Sequence, residues 1–139
     1  MSLLVVDASV ALKWFLAEEG SGEADRLQAG HELIAPDIIV AELVNALWKA
    51  FQKKLAPVDQ LERSVDALAE PFSKLVPSVL LAAQAWHVAT TLHYPAYDAF
   101  YIALAEREGC ELVTADRRLL QATAGTDFEK FVRPLESRA

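Results

Sequence analysis

The sequence predicts an α/β protein with one parallel sheet and helices on both faces of that sheet. Short apolar runs that suit fully buried strands alternate with longer segments in which apolar residues recur at helical spacing. A length of 139 residues corresponds to one domain, so residues 1–139 are treated as a single unit. Hydrophobic residues make up 53% of the chain and charged residues 24%, which indicates a globular protein rather than a disordered one.

Charge and cysteine content narrow the functional classes. The net charge of −7 argues against broad electrostatic binding to duplex DNA, because such binding needs a basic surface. The negative net charge is a weaker argument against an enzyme that holds phosphates through a bound metal. The single cysteine, Cys110, excludes a disulfide within the chain and fits a reducing compartment. The apolar start lacks a basic segment and is interrupted by Asp7, so we expect a cytoplasmic protein with no membrane association.

The elements follow from apolar runs, caps and breakers taken in chain order. Five runs predict strands: residues 3–6, 32–35, 73–76, 111–114 and, as an edge strand, 128–134. Seven segments predict helices: residues 10–17, 23–29, 38–54, 59–70, 79–92, 98–108 and 117–122. Ser9, Asp37 and Ser78 are expected to cap helix starts, and residues 59–62 have the form of a capping box. Gly109 is placed to end the helix that Asp98 opens.

Four acids stand where these elements begin or end. Asp7 ends the first strand and Asp116 follows the fourth, whereas Asp98 opens a helix that is apolar on most sides. Glu42 lies in the second turn of the 38–54 helix, between core positions. Each acid alone suits a cap, a turn or a partly exposed surface position. However, the first and fourth strands of a doubly wound sheet can be neighbours, and ligands bind at the carboxyl ends of such strands.

A cluster of carboxylates at that edge would require a counter-charge. An unpaired buried carboxylate is costly, and nearby like charges push a proton onto one member of the group. Mg²⁺ and Mn²⁺ are hard cations that take carboxylate and water oxygens as ligands. The sequence therefore predicts a site for Mg²⁺ or Mn²⁺.

At these positions the chain resembles the PIN-domain nucleases, and within them the VapC-like toxins of type II toxin–antitoxin pairs. The matching segments are residues 5–10, 36–45, 97–103 and 112–116, so the resemblance extends over essentially the whole chain. It implies that the catalytic, metal-binding acids are Asp7, Glu42, Asp98 and Asp116. It also implies that the supporting polar residues are Ser9, Asn45 and Thr114. Many relatives carry a further acid or aromatic residue just after the last aspartate, whereas residues 117–120 here read Arg-Arg-Leu-Leu.

The resemblance further implies a parallel sheet of order 3-2-1-4-5, a homodimer, an antitoxin partner and Mg²⁺- or Mn²⁺-dependent RNA cleavage. The basic residues nearest the acids are Lys13, Lys49, Arg117 and Arg118. They are candidates for contacts to the RNA backbone, although solvated surface charge explains each of them equally well. A basic segment of an antitoxin could enter the acidic pocket through an arginine.

Surplus apolar surface predicts a contact with another chain. Apolar residues surround much of the 79–92 helix, and Trp14, Phe15 and Leu16 lie together in the first helix. Helices that are apolar on more than one face are either fully buried or meet a partner.

Other functions fit the sequence less well. A phosphatase of the haloacid-dehalogenase type needs a second aspartate two residues after the first, where Ser9 stands. A receiver domain needs paired acids near the first strand, where only Asp7 is present. A non-toxin PIN-domain nuclease of RNA processing and a catalytically silent PIN-like binding module stay open, and a metal-dependent nuclease assay separates the silent module from an enzyme.

Overall fold

The computed structural model describes residues 2–136, and its framework is a five-stranded parallel sheet. The strands are β1 (Leu3–Val6), β2 (Glu32–Pro36), β3 (Lys74–Val76), β4 (Glu111–Thr114) and β5 (Val132–Pro134). They lie in the order β3-β2-β1-β4-β5, and every neighbouring pair is parallel. The predicted α/β class and the expected order 3-2-1-4-5 are both confirmed.

Seven α-helices within residues 2–136 connect the strands and cover the sheet. They are α1 (Ala8–Ala11), α2 (Ser21–Gly30), α3 (Ile38–Gln52), α4 (Val58–Ala67), α5 (Ala82–Leu92), α6 (Ala96–Glu108) and α7 (Arg117–Thr123). None of the helices in this part of the chain is both long enough and apolar enough to cross a bilayer.

Helices cover both faces of the sheet, and alternate residues of a strand point to opposite faces. Consecutive buried side chains of a strand therefore lie on different sides. Val5 packs in the larger core with residues of α3, α5 and α6, whereas Leu4 and Val6 pack in a second core with Ala24 and Leu27 of α2. Consecutive residues of β1 thus belong to different cores, which is why its run is uniformly apolar.

The first helix differs from the predicted segment 10–17, and Ser9 does not cap it. It begins at Ala8, and the Asp7 carboxylate caps it by accepting from the Val10 N–H. The Ser9 hydroxyl donates to that same carboxylate instead. After Ala11 the chain tightens into the 3-10 turn Leu12–Trp14, so the predicted helix is only partly α-helical.

The prediction that Asp37 and Ser78 cap the helices that follow them is also wrong. Asp37 precedes α3, yet its side chain makes no capping bond there. Its Oδ1 accepts from the Ser78 N–H at 3.0 Å and from the Ser78 hydroxyl at 2.6 Å. The two residues thereby join the loops after β2 and β3, and Ser78 begins the 3-10 turn Ser78–Leu81 before α5.

Several predicted boundaries shift for local reasons. Helix α4 begins at Val58 after Pro57, without the predicted capping-box bond. Helix α3 ends at Gln52, because Lys54 adopts a positive φ of 56°. The predicted strand 128–134 is shorter, since the 3-10 turn Glu129–Phe131 precedes β5.

Helix α6 is the buried helix of the domain, and it ends as predicted. Gly109 follows it with a φ of 65°, a conformation that glycine adopts without steric cost. The helix begins at Ala96 rather than at Asp98, so this acid lies in its first turn. The N-terminal end of a helix favours a negative charge, because its backbone N–H groups point towards that end.

Candidate active site

Asp7 and Asp116 lie at the same edge of the sheet because their strands are neighbours. Asp7 follows β1 directly, and Asp116 comes two residues after β4. Val6 pairs with Val113 in the register that joins these strands. The two acids therefore leave the carboxyl ends of adjacent parallel strands, as the doubly wound arrangement predicts.

The Asp7 carboxylate is buried and surrounded by donors. Its Oδ1 accepts from the Ser9 hydroxyl at 2.6 Å and from the Val10 N–H at 3.2 Å, and its Oδ2 accepts from the Thr114 hydroxyl at 2.5 Å. Burial raises the pKa of Asp7 to about 6, although these three hydrogen bonds lower it and the charge of Asp116 adds to the rise. The fold thus holds this carboxylate in one orientation at a cost in desolvation.

Ser9 and Thr114 also fix the turn that carries Asp116. The Ala115 N–H donates to the Ser9 hydroxyl at 2.9 Å, and the Asp116 N–H donates to the Thr114 hydroxyl at 3.0 Å. Asp116 in turn caps α7, since its Oδ1 accepts from the Arg118 N–H at 2.9 Å. Ser9 and Thr114 are therefore structural neighbours of Asp7 and Asp116, consistent with their predicted supporting role.

The pKa of Asp98 is affected by burial and by the charges of all three other predicted acids. Burial raises its pKa to about 7, and the charges of Asp7, Asp116 and Glu42 add to that rise in this order. These contributions indicate that the four predicted acids share one electrostatic neighbourhood. Like charges at such proximity keep a proton on the group near neutral pH unless a cation replaces it.

Glu42 reaches this neighbourhood from α3 and is held there by Tyr101 of α6. The Tyr101 hydroxyl donates a hydrogen bond to Glu42 Oε1. Burial raises the pKa of Glu42, whereas the hydrogen bond from Tyr101 lowers it. Asn45 lies about one turn further along α3 and is exposed.

The predicted basic residues differ in exposure and in their partners. The Lys13 ammonium pairs with Glu18 at 3.3 Å and donates to the Glu19 carbonyl oxygen, so it is held in the loop after α1. Lys49, Arg117 and Arg118 are exposed. The backbone N–H of Arg118 donates to Asp116 Oδ1, so the chain position of Arg118 is directly beside this acid.

The donor set suits a hard divalent cation that keeps much of its water. Within residues 2–136 the ion pairs are Lys13–Glu18, Arg26–Glu23, Arg63–Asp59, Lys74–Glu108 and Arg133–Glu111, and none of them includes a predicted site acid. In the same range no group of three or more Asp, Glu, His or Cys side chains is arranged so that it could hold a metal ion as the side chains stand. Mg²⁺ is usually bound by one or two carboxylates with water completing its octahedron, so an open group of acids fits it.

Two tyrosines at the site were not predicted from the sequence. Tyr101 lies in an apolar run and looks like a core residue, yet its place one turn after Asp98 puts both side chains on one helix face. Tyr94 lies in the loop between α5 and α6, where the charges of Asp98 and Asp116 act on it. Helical spacing from Asp98 could have indicated Tyr101, whereas no sequence pattern indicates Tyr94.

The family model described as "PIN domain" matches residues 4–125 of this chain. The chain belongs to the PIN-domain family. The match includes all four predicted acids and the sheet edge from which Asp7 and Asp116 leave.

Curated relatives of this PIN domain are VapC ribonucleases. Ribonuclease VapC3 of Pyrobaculum aerophilum is 34% identical over 121 residues, which cover 85% of this chain and 92% of that protein. VapC ribonuclease Mb0985 of Mycobacterium bovis is 34% identical over 117 residues, with 84% and 88% covered. The similarity therefore spans nearly the full length of these relatives.

Solved structures share the same fold. A crystal structure of a Pyrobaculum aerophilum protein, PAE2754, superposes with a TM-score of 0.70 at 25% identity, over 96% of this chain and 84% of that one. A chain of a toxin–antitoxin complex from Klebsiella pneumoniae gives a TM-score of 0.68 at 19% identity and covers 99% and 100%. At that lower identity the likeness concerns the fold alone.

Proposed function

We propose that this PIN domain is a Mg²⁺- or Mn²⁺-dependent endoribonuclease that acts as the toxin of a toxin–antitoxin pair. The observation that carries the proposal is the electrostatic coupling of four acids: burial, and then the charges of Asp7, Asp116 and Glu42, raise the pKa of Asp98. The VapC ribonuclease relatives support RNA as the substrate class.

We assign each residue of the site a separate role in the proposed reaction. Asp7, Asp98, Asp116 and Glu42 would hold the cation through carboxylate oxygens, and the hydroxyls of Ser9 and Thr114 fix the orientation of the Asp7 carboxylate. When bound, Mg²⁺ or Mn²⁺ would supply a water of lowered pKa and positive charge for the scissile phosphate. Arg118 and Arg117 lie beside Asp116 and provide positive charge for the RNA backbone.

A cleavage assay with a matched control tests the catalytic proposal. The purified chain is expected to cut single-stranded or loop RNA internally with Mg²⁺ or Mn²⁺ and to stop when EDTA is added. Asp98→Asn should abolish cleavage without unfolding the chain, whereas Asp25→Asn on the exposed side of α2 should cut like the parent. Cleavage that persists in EDTA, or in Asp98→Asn at the parental rate, would refute the assignment. Sequencing the RNA ends would then identify the preferred cleavage site.

We also propose a small antitoxin with a basic segment as partner. The acids lack a basic counterpart among the ion pairs of residues 2–136, so an arginine could pair with them and exclude the cation. Helix α3 carries Glu42, and further along it an apolar groove of about 190 Å³ lies between α3 and α4. The residues that line this groove are Val44, Leu47, Trp48, Phe51, Val58, Leu61, Glu62 and Val65. An apolar partner segment lying there would approach the acids along α3.

A homodimer is the remaining part of the proposal. The 3-10 turn before α5 exposes Val79 by 80%, and Trp86 in α5 is 72% exposed, so part of the expected surplus apolar surface is on the outside. Trp14 follows the other alternative and packs within the chain, because its ring lies edge-on against Phe72 and its Nε1–H donates to the Ala24 carbonyl oxygen. Light scattering of the purified chain should give the mass of a dimer at micromolar concentration, and a monomer would refute this part.

Expression in cells tests the toxin role separately. Co-purification of the natively expressed chain, followed by mass spectrometry, should identify a small basic partner, and expression without it should slow growth. If no partner is found and growth is normal, a PIN-domain nuclease of RNA processing becomes the better account.

A further inference from the structure

Tyr101 is a buried polar side chain at the acid cluster to which the proposed chemistry gives no role. It is 1% exposed and belongs to the larger core, yet its hydroxyl donates to Glu42, which lies 59 positions earlier in the chain. The bond joins α6, which carries Asp98, to α3, which carries Glu42. The hydroxyl therefore ties Glu42 to the helix that carries Asp98.

Packing alone does not require a hydroxyl at this position. A phenylalanine would fill the same core volume, and a buried hydroxyl is costly unless it is hydrogen-bonded. The Tyr101 phenol is neutral at physiological pH and is the donor in its bond to Glu42 Oε1. The Glu42 carboxylate thus has a neutral donor as its partner in a group that is otherwise negative.

The partner matters because glutamate has a long, flexible side chain. Ordering such a side chain costs conformational entropy, and repulsion from neighbouring carboxylates would favour rotamers that leave the cluster. A hydrogen bond to Oε1 restricts Glu42 to one orientation. Its Oε2 accepts no hydrogen bond from residues 2–136 and stays free for another ligand.

We propose that Tyr101 is a positioning residue that holds Glu42 in the acid cluster and thereby strengthens binding of a divalent cation. The inference rests on the proposed metal-dependent function. Removal of an outer hydrogen-bond partner of a metal ligand typically weakens metal affinity by 10- to 100-fold, so Tyr101→Phe should weaken Mn²⁺ binding by roughly 10-fold or more.

A double-mutant cycle on Mn²⁺ affinity tests this role without an activity measurement. Free Mn²⁺ is followed by electron paramagnetic resonance during titration of the parent, Tyr101→Phe, Glu42→Ala and the double variant. Tyr97→Phe is the matched control, because it removes the same hydroxyl from an exposed position of the same helix. If Tyr101 acts through Glu42, Tyr101→Phe should weaken affinity in the parent but change it by less than about twofold in the Glu42→Ala background.

The outcomes separate this inference from the proposed function. A parent chain that binds no Mn²⁺ would refute the metal-dependent function itself. If Tyr101→Phe binds Mn²⁺ as tightly as the parent does, the role of Tyr101 is refuted and the proposed function is not affected. An equal loss of affinity in both backgrounds would show that the hydroxyl acts on the fold as a whole, which also overturns the inference.

Discussion

The Thr114 hydroxyl donates a 2.5 Å hydrogen bond to Asp7 Oδ2, although the two residues lie 107 positions apart in the chain. The same oxygen of Thr114 accepts from the Asp116 N–H at 3.0 Å. One buried hydroxyl therefore orients the acid of β1 and the turn that carries the acid after β4. Both contacts depend on the pairing of these two strands.

Replacing Thr114 by valine keeps the shape of the side chain and removes the hydroxyl that contacts Asp7 and the Asp116 N–H. We expect Thr114→Val to lower the free energy of unfolding by about 1.5–3 kcal/mol, since a hydrogen bond to a buried carboxylate is lost. Urea unfolding in EDTA measures this change. Thr123→Val is the control, because Thr123 is equally buried but its hydroxyl, among residues 2–136, bonds only backbone carbonyl oxygens of α7. Equal losses in the two variants would contradict the proposed importance of the Asp7 contact.

The raised pKa of Asp98 predicts a pH-dependent stability without metal. The folded chain holds this proton up to about pH 7, whereas the unfolded chain releases it near 3.8. Between these values the folded state binds more protons, so the contribution of Asp98 to stability is complete below pH 4 and is lost as the pH rises through 7.

Asp98→Asn should therefore equal the parent in stability near pH 4 and exceed it at pH 8 in EDTA. Asp98 is partly exposed, so solvent screening reduces the expected gain to on the order of 1 kcal/mol. Thermal unfolding at both pH values, repeated with Mn²⁺, checks this. Added Mn²⁺ should stabilise the parent more than the variant. If Asp98→Asn is less stable than the parent at pH 8 in EDTA, burial and repulsion are not the cause of the raised pKa of Asp98.

Arg118 is expected to bind the RNA backbone rather than to act in chemistry. Arg118→Gln should raise KM for RNA several-fold, leave kcat within about twofold, and reduce the slope of log affinity against log salt by roughly 1. Arg63→Gln is the control, because Arg63 is exposed on α4 and pairs with Asp59. A fall in kcat with unchanged KM would assign Arg118 to the reacting phosphate instead.

Trp48 provides a test of the groove between α3 and α4. Its side chain is 54% exposed, so glutamate is tolerated there sterically but makes the apolar groove unsuitable for an apolar partner. Trp48→Glu should abolish co-purification of the partner and retain RNA cleavage. Trp86→Glu, on the other exposed apolar surface, should retain the partner and shift the light-scattering mass towards a monomer. Partner loss in Trp86→Glu alone would reverse the two assignments.

The fold was predictable because its signals are local and repeated. The bounds of β1 and β4 agree with the predicted runs, since a strand buried on both faces must be apolar throughout. Asp7 and Asp116 were predictable as neighbours because the positions of acids after parallel strands follow from strand order alone. Whether these acids bind metal stays a prediction.

The errors concern side chains whose partners are distant in sequence. Asp37 and Ser78 each have the pattern of an N-cap, yet they bond to each other across 41 positions. Ser9 likewise bonds to Asp7 and Ala115 instead of capping a helix. Single-sequence patterns describe what a polar residue can do locally, whereas the tertiary structure decides which of its possible partners is present.

The position of β4 between β1 and β5 has a consequence for synthesis of the protein. Residues 7 and 42 leave the ribosome early, but the hydroxyl and the last acid that complete the site belong to residues 114 and 116. A growing chain therefore carries an unfinished site until residues 111–116 have emerged and β4 has entered the sheet beside β1. The proposed nuclease would in this way lack two of its site residues until the segment that carries them has been synthesised and has folded.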